Sequence, residues 1–214
     1  MPSLRQIRQR IRGVRNIRQI TRAMKMVASA RLHKAQAQLM AARPYAAQMR
    51  RTILDIAGHA SGPELPLLRT YPRARSAVAI ITSDKGLCAG FNAKSLQYGV
   101  RAATLSREDE SPELLAIGRK AVQLYRRLGI PVYREWAGFW QELSWLHADQ
   151  MAGEIIAAFA SGRWSRVTLV YNRFKSILLQ EVVEEPLLPL TWVYDREHPT
   201  DRFSEFVFEP SADA

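Results

Sequence analysis

Apolar residues recur three and four positions apart along the first part of the chain: Leu4, Ile7, Ile11, Val14, Ile17, Ile20, Met24 and Val27. After a phase shift the series resumes as Ala28, Leu32, Ala35, Leu39, Ala42, Ala46, Met49, Ile53 and Ile56. Such spacing puts one apolar seam on an α-helix, and its persistence over many turns is a coiled-coil pattern whose phase shift alters the supercoil locally. Ser3 and Gln6 have the spacing of a capping box, in which a hydroxyl and an amide satisfy free backbone donors at a helix start. Only Gly13 and Pro44 interrupt the pattern before Gly58. Pro44 removes one backbone donor, which predicts a kink or break near Arg43. A straight helix over 3–43 would extend about 60 Å at ~1.5 Å per residue, so much of it projects and its seam needs another helix.

The period then changes. Residues 58–76, "GHASGPELPLLRTYPRARS", carry three prolines and two glycines and read as a linker. The β-branched run 77–84 is a buried-strand candidate. Helical spacing over about 93–106, a strand at "ELLAIG" (113–118), and a helix over 119–128 ending at Gly129 follow. "PVYREW" (131–136) is a third strand, 146–161 a helix closed by Gly162, and "RVTLVYNRF" (166–174) a fourth strand. Strands alternating with helices imply right-handed crossovers and a mainly parallel sheet. "SILLQEVVEEPLLPL" reads as a strand leading out of the domain, and "EFVFEP" as a last short strand. The expected organisation is a helix over 1–57, a linker over 58–76, an α/β domain over 77–209 and a tail over 210–214.

Charge divides the chain at the same place. The net charge of +11 is carried by residues 1–57, whose thirteen Lys and Arg face a single acid, Asp55, for a balance of +12. The remaining 18 basic and 19 acidic residues nearly cancel. Arg-rich amphipathic N-termini also serve as transit peptides, but here serine is scarce and the pattern runs beyond residue 50. Basic helices also bind nucleic-acid phosphates or acidic membranes. The first aromatic is Tyr45, however, so no base-reading or lipid-inserting set accompanies the charge. No apolar run approaches the ~18 residues needed to cross a bilayer. One cysteine excludes an intramolecular disulfide and suits a reducing compartment. His33, His59, His147 and His198 are isolated, without the spacing of a zinc site on a helix face.

The chemistry-like stretch is "ITSDKGLCAGFN", ending at Asn92. It lies in the first βα loop, at the carboxyl edge of the sheet where ligands usually bind. A dinucleotide fingerprint needs G-x-G-x-x-G, and a P-loop ends in Gly-Lys-Ser/Thr. Here Gly86 and Gly90 flank Leu87, Cys88 and Ala89, and Phe91 follows. Nucleophilic use of Cys88 would need a histidine brought from elsewhere, and nothing marks one. Asp84 and Lys85 are expected to pair with each other or with a partner.

Taken together, the two parts resemble a known family. "SLRQIRQRIRGVRNIRQITRAMKMVASARLHKAQ" with "ARPYA" resembles the N-terminal helix of the gamma subunit of F-type ATP synthase, and "ITSDKGLCAGFN" is similar to that family's most recognisable internal stretch. The resemblance covers essentially the whole chain. It implies an α/β fold in which a long N-terminal helix, half of a coiled-coil shaft, is joined to a Rossmann-like foot domain with a mainly parallel sheet. It implies a rotor without a catalytic site, cofactor or metal of its own, turning inside a ring of alpha and beta subunits, three of each, beside the epsilon subunit and the membrane ring of c subunits. Proton flow turns such a shaft, and its asymmetric contacts drive ATP synthesis or hydrolysis at the beta sites. By position in the family pattern, Ile20, Met24 and Lys25 face the acidic lever region of the beta subunits, and Lys85 and Cys88 lie in the foot loop that approaches it.

The expected location is peripheral, on the cytoplasmic face of a bacterial plasma membrane, since no added leader is visible. Ala89 stands where the family usually has a second glycine, which is expected to stiffen the loop slightly. The sequence ends at "FVFEPSADA", where family members continue into a C-terminal helix. The expectation is a seam without an intrachain partner that associates or frays. Alternative readings are a truncated, non-coupling fragment of that subunit and a basic-helix nucleic-acid-binding protein.

Overall fold

The computed structural model describes residues 3–59, 66–105, 111–176 and 179–190. The chain divides into two compact units, the helical N-terminal one and an α/β one, and each is described by itself.

The first unit is built on α1, Leu4–His59, an unbroken helix of 56 residues. Its start is the expected capping box: the Ser3 amide donates to Gln6 Oε1 at 2.9 Å, and the Gln6 amide donates to Ser3 Oγ at 3.3 Å. Of the kink or break expected near Arg43, the break does not occur: the helix continues through Pro44. Alanines at 41, 42, 46 and 47, the strongest helix formers, flank it. The bond that Pro44 forfeits is to the carbonyl of Met40, a residue 55% exposed, where water can take the amide's place. No helix among the described residues is long and apolar enough to cross a membrane.

The second unit alternates strand and helix as the sequence pattern predicts: β1 (Arg75–Ile81), α2 (Phe91–Leu105), β2 (Glu113–Ile117), α3 (Arg119–Leu128), β3 (Val132–Trp136), α4 (Trp145–Ala160), β4 (Trp164–Phe174) and β5 (Gln180–Leu188). The sheet order is β3-β2-β1-β4-β5. The first four strands are parallel, and β5 runs antiparallel to β4. The segment expected to lead out of the domain therefore turns back as an edge strand. Its reason is the connection: the Lys175 and Ser176 amides both bond to the Leu179 carbonyl, at 3.2 and 3.0 Å, and so short a loop can join only antiparallel strands. Pro186 and three glutamates then discourage further pairing along that edge. The "EFVFEP" strand lies outside the described residues.

Two cores hold the sheet. On one face α2 and α3 cover Val78, Ile80, Leu114 and Ala116. On the other, α4 covers Ala77, Ala79, Leu115 and Ile117, with Phe159 and Trp164 fully buried. β1 is thus buried on both faces, which explains its continuous apolar run. The second half of the Pro-rich stretch packs on the α4 side, where Leu68 is buried and the Tyr71 ring meets Phe159 edge-on at 5.5 Å. Gly118 links β2 to α3 with φ at +100°, and a Cβ there would fall 2.1 Å from the Thr82 carbonyl oxygen. Gly129 ends α3 in the left-handed conformation, with its amide and that of Ile130 closing on Arg126 and Tyr125 carbonyls.

Candidate functional site

α1 presents a surface of unusual composition. Its seam residues from Leu4 to Val27 are between 45% and 70% exposed. Among the residues singled out by position, Ile20 is 60% and Met24 55% exposed, and Lys25 is exposed beside them. Eight large apolar side chains at ~1.5 kcal/mol or more each represent on the order of 10 kcal/mol of transfer free energy available to a partner that covers them.

The first βα loop is held by its own side chains. Asn92 Oδ1 accepts from the Ser83 amide at 3.0 Å, and Asn92 Nδ2 donates to Ser83 Oγ at 2.8 Å and to Cys88 Sγ at 3.2 Å. The Ser83 hydroxyl donates to the Lys85 carbonyl at 2.6 Å. Asp84 does not pair with Lys85, contrary to the first of the two partners expected for it. Its Oδ1 accepts from the Arg119 amide at 2.8 Å and its Oδ2 from the Gly138 amide at 3.0 Å. The carboxylate thus sits at the N-terminus of α3, where free donors and the helix dipole favour an anion, and ties three loops of the carboxyl edge together. Sequence reasoning missed this role; the signal, an acid just past a strand end, does not reveal which amides lie nearby.

At the tip of the loop the backbone is strained. Leu87 has φ at +61° and Ala89 at +47°, in the left-handed region that costs a residue with a Cβ about 1 kcal/mol or more. Leu87 is 98% exposed, Lys85 is exposed and Cys88 half-buried. The loop therefore offers an apolar tip and a cation to the outside, while the thiol faces inward to Asn92.

In doubly wound sheets ligands bind where strand order reverses, here between β1 and β4. That crevice is filled. Asn172 of β4 donates from Nδ2 to the Phe91 carbonyl and to Ser95 Oγ, both at 2.9 Å, and Ser95 is fully buried. The Ser83 amide, at the strand end of that crevice, is taken by Asn92 Oδ1. Among the described residues no group of His, Cys, Asp and Glu could hold a metal ion.

The opposite edge carries one well-made ion pair. Glu113 accepts from Arg163 Nε and Nη2 at 2.9 and 2.8 Å and from Trp164 Nε1 at 2.8 Å. Burial pushes the Glu113 carboxyl up, but the Arg163 and Trp164 hydrogen bonds and the charges of Arg163 and Arg75 outweigh it and hold the group below the usual carboxylate range. Arg163 also lies 4.3 Å over the Tyr133 ring. These contacts fix the starts of β2 and β4.

A long basic helix with an exposed apolar seam, a surface suited to a protein partner, is thus combined in one chain with a doubly wound α/β domain. The family model described as ATP synthase matches residues 3–214. The ATP synthase gamma chain of Desulfitobacterium hafniense is 40% identical over 214 residues, spanning 100% of this chain and 73% of that one. The ATP synthase gamma chain of Pelotomaculum thermopropionicum is 36% identical over 216 residues, spanning 100% and 74%. The chain belongs to the ATP synthase gamma chain family. In fold it is similar to a chain of the central stalk and c-ring structure of the Tetrahymena thermophila mitochondrial ATP synthase, with a TM-score of 0.63 at 23% identity over 91% of this chain and 82% of that one.

Proposed function

We propose that this chain is the central rotor shaft of an F-type ATP synthase, coupling proton flow through a membrane ring of c subunits to ATP synthesis or hydrolysis at the beta subunits. Its partners are the alpha, beta and epsilon subunits and the c-ring, and its membrane association is peripheral, through that complex. Catalysis resides on the partners. The observation that carries this reading is the union of family membership along the whole chain with a seam left 45% to 70% exposed on a helix of charge +12. Ile20, Met24 and Lys25 are assigned to the contact with the acidic lever of the beta subunits, and Lys85 and Cys88 to the foot loop that approaches it. The filled β1/β4 crevice supports a foot domain that binds no nucleotide. The nucleic-acid reading is not favoured, since the relatives are ATP synthase gamma chains.

Reconstitution tests this. Purified alpha and beta subunits mixed with the chain, then sized and assayed for ATP hydrolysis, yield a complex containing one copy of it per ring and an increased turnover. A chain that elutes alone, or a complex indifferent to its presence, refutes the proposal. Thermal unfolding of the isolated chain shows no shift at millimolar ATP; a clear stabilisation would instead assign the foot a nucleotide site.

A further inference from the structure

The β1–α2 loop and the start of α3 are stitched into one body. The first amides of a helix have no partner within it, and for α3 the end of β1 and the loop supply acceptors. The Arg119 amide donates to Asp84 Oδ1 at 2.8 Å, the Lys120 amide to the Ser83 carbonyl at 3.1 Å, and the Ala121 amide to Thr82 Oγ1 at 3.0 Å. Consecutive amides bonded to consecutive residues hold the first turn of α3 against residues 82–84. This brings Lys120 over the loop: a Cβ built on Gly86 would have Lys120 Cε at 3.7 Å and Nζ at 3.8 Å as its nearest neighbours. The end of that side chain therefore lies against the residue between Lys85 and Leu87. Lys120 is half-buried, yet among the described residues its ammonium enters no ion pair. Asp84, the acid of this loop, has both oxygens engaged by the Arg119 and Gly138 amides. Ordering a lysine stem costs side-chain freedom, and the dipole at the start of α3 opposes a cation there. The isolated chain meets both costs without a counter-charge for Lys120.

We infer that Lys120 is a second contact residue for the beta-subunit carboxylates that the Lys85 loop is assigned to approach. This rests on the proposal that the chain is the rotor shaft. Because α3 starts on residues 82–84, Lys120 goes wherever the loop goes, and a surface that meets Lys85 and the Leu87 tip also meets the ammonium lying over Gly86. Two cations from separate segments then act at one place. Charge of one sign gathered at one place raises the local potential, which an acidic surface relieves. A free phosphate fits less well, since the Arg119, Lys120 and Ala121 amides that would cradle it are already bonded.

Carbodiimide treatment of the assembled complex joins a lysine amine to a carboxylate in direct contact with it. Peptide mapping then finds Lys120 joined to Asp or Glu of a beta subunit. An assembled complex in which Lys120 is joined to some other subunit, or to none, overturns the inference. Two variants separate charge from packing: Lys120→Met keeps a stem to lie over Gly86 and removes the charge, and Lys120→Arg keeps the charge. With circular dichroism unchanged and the complex reconstituted into vesicles, Lys120→Met lowers ATP-driven proton transport at least twofold and weakens its dependence on salt. Lys120→Arg restores both. A Lys120→Met complex equal to the parent, or the two variants equally impaired, overturns the inference, because the stem alone would then matter. A chain that enters no complex with alpha and beta overturns the proposed function instead.

Discussion

α1 and the α/β unit use apolar residues in opposite ways. Ala77, Ala79, Ile80 and Leu115 of the sheet are fully buried, while Leu4, Val14 and Ile17 of the helix are more than 60% exposed. Both segments have clear periodicity, and both carry enough apolar surface for a core. The difference lies in where the complementary surface comes from. β1 finds it within about a hundred residues of the same chain, on both faces; the α1 seam finds none among the described contacts of its own unit. Periodicity therefore reports which face seeks burial, and only the tertiary structure reports whether the chain itself supplies it. The α/β unit should respond to the loss or gain of single atoms, and α1 should be almost indifferent to the same changes until a partner is present.

The sharpest test is Gly118→Ala. A Cβ there lands 2.1 Å from the Thr82 carbonyl oxygen and 2.7 Å from its hydroxyl, on backbone at φ +100°. Thr82 is itself fixed, its hydroxyl accepting from the Ala121 amide at 3.0 Å. Clash and strain together should cost more than about 3 kcal/mol. Urea unfolding followed by the fluorescence of buried Trp164 reads the loss. A variant as stable as the parent would mean that the β2–α3 junction is free to move, and the contrast with α1 would fail.

Much of this was legible beforehand, because the α/β unit obeys local rules. Alternating strand and helix patterns located all four parallel strands, and Gly129 and Gly162 marked helix ends through their conformational freedom. The two misjudged features needed information beyond the local pattern. Pro44 argued for a kink or a break, and the break is absent because flanking alanines and solvent decide whether one missing bond ends a helix. β5 looked like an exit, since an apolar strand gives no sign of its direction; the short 175–179 connection sets it. The site was legible in outline only. The loop was placed correctly at a strand end, but the Asp84 contacts to two amides distant in sequence could not be seen from the residues around it.

Glu113 comes next in size. Its carboxylate takes three hydrogen bonds, and Glu113→Gln forfeits the charge-assisted ones, costing about 1–2 kcal/mol at neutral pH. The folded-state value lies below the usual range, so the carboxylate contributes stability above its unfolded value of about 4.3 and loses it as pH falls through the lower folded value. The stability difference between parent and Glu113→Gln should accordingly shrink on acidification across that window. A gap that stays constant from neutral to acid conditions would show that the ionised pair is not the cause.

Two changes of about 1 kcal/mol probe each region with glycine in opposite directions. Ala89→Gly relieves a side chain held at φ +47° and should stabilise the α/β unit by about 1 kcal/mol. Gly13→Ala, in a helix where an added Cβ meets nothing within 4 Å, should raise the helicity of α1 and favour it by about 1 kcal/mol. Circular dichroism and denaturation separate the two, since the first moves the unfolding midpoint of the sheet and the second moves helical content. If Ala89→Gly destabilised, the strained loop would be held by contacts that the alanine methyl makes.

The smallest effect on the isolated chain is the most informative about the seam. Ile20 is 60% exposed, so Ile20→Ala removes little buried area and should change stability by no more than about 0.5 kcal/mol. In a complex that covers the seam, the same truncation removes several methyl and methylene groups from a packed interface, where each is worth about 0.8 kcal/mol or more. Paired measurements therefore bracket the claim: unfolding of the chain alone, and its retention by purified alpha and beta subunits. A variant unchanged in the first and weakened in the second locates the missing surface on the partner. One already destabilised alone would mean that α1 buries Ile20 by self-association, and one unchanged in both would remove this position from the interface.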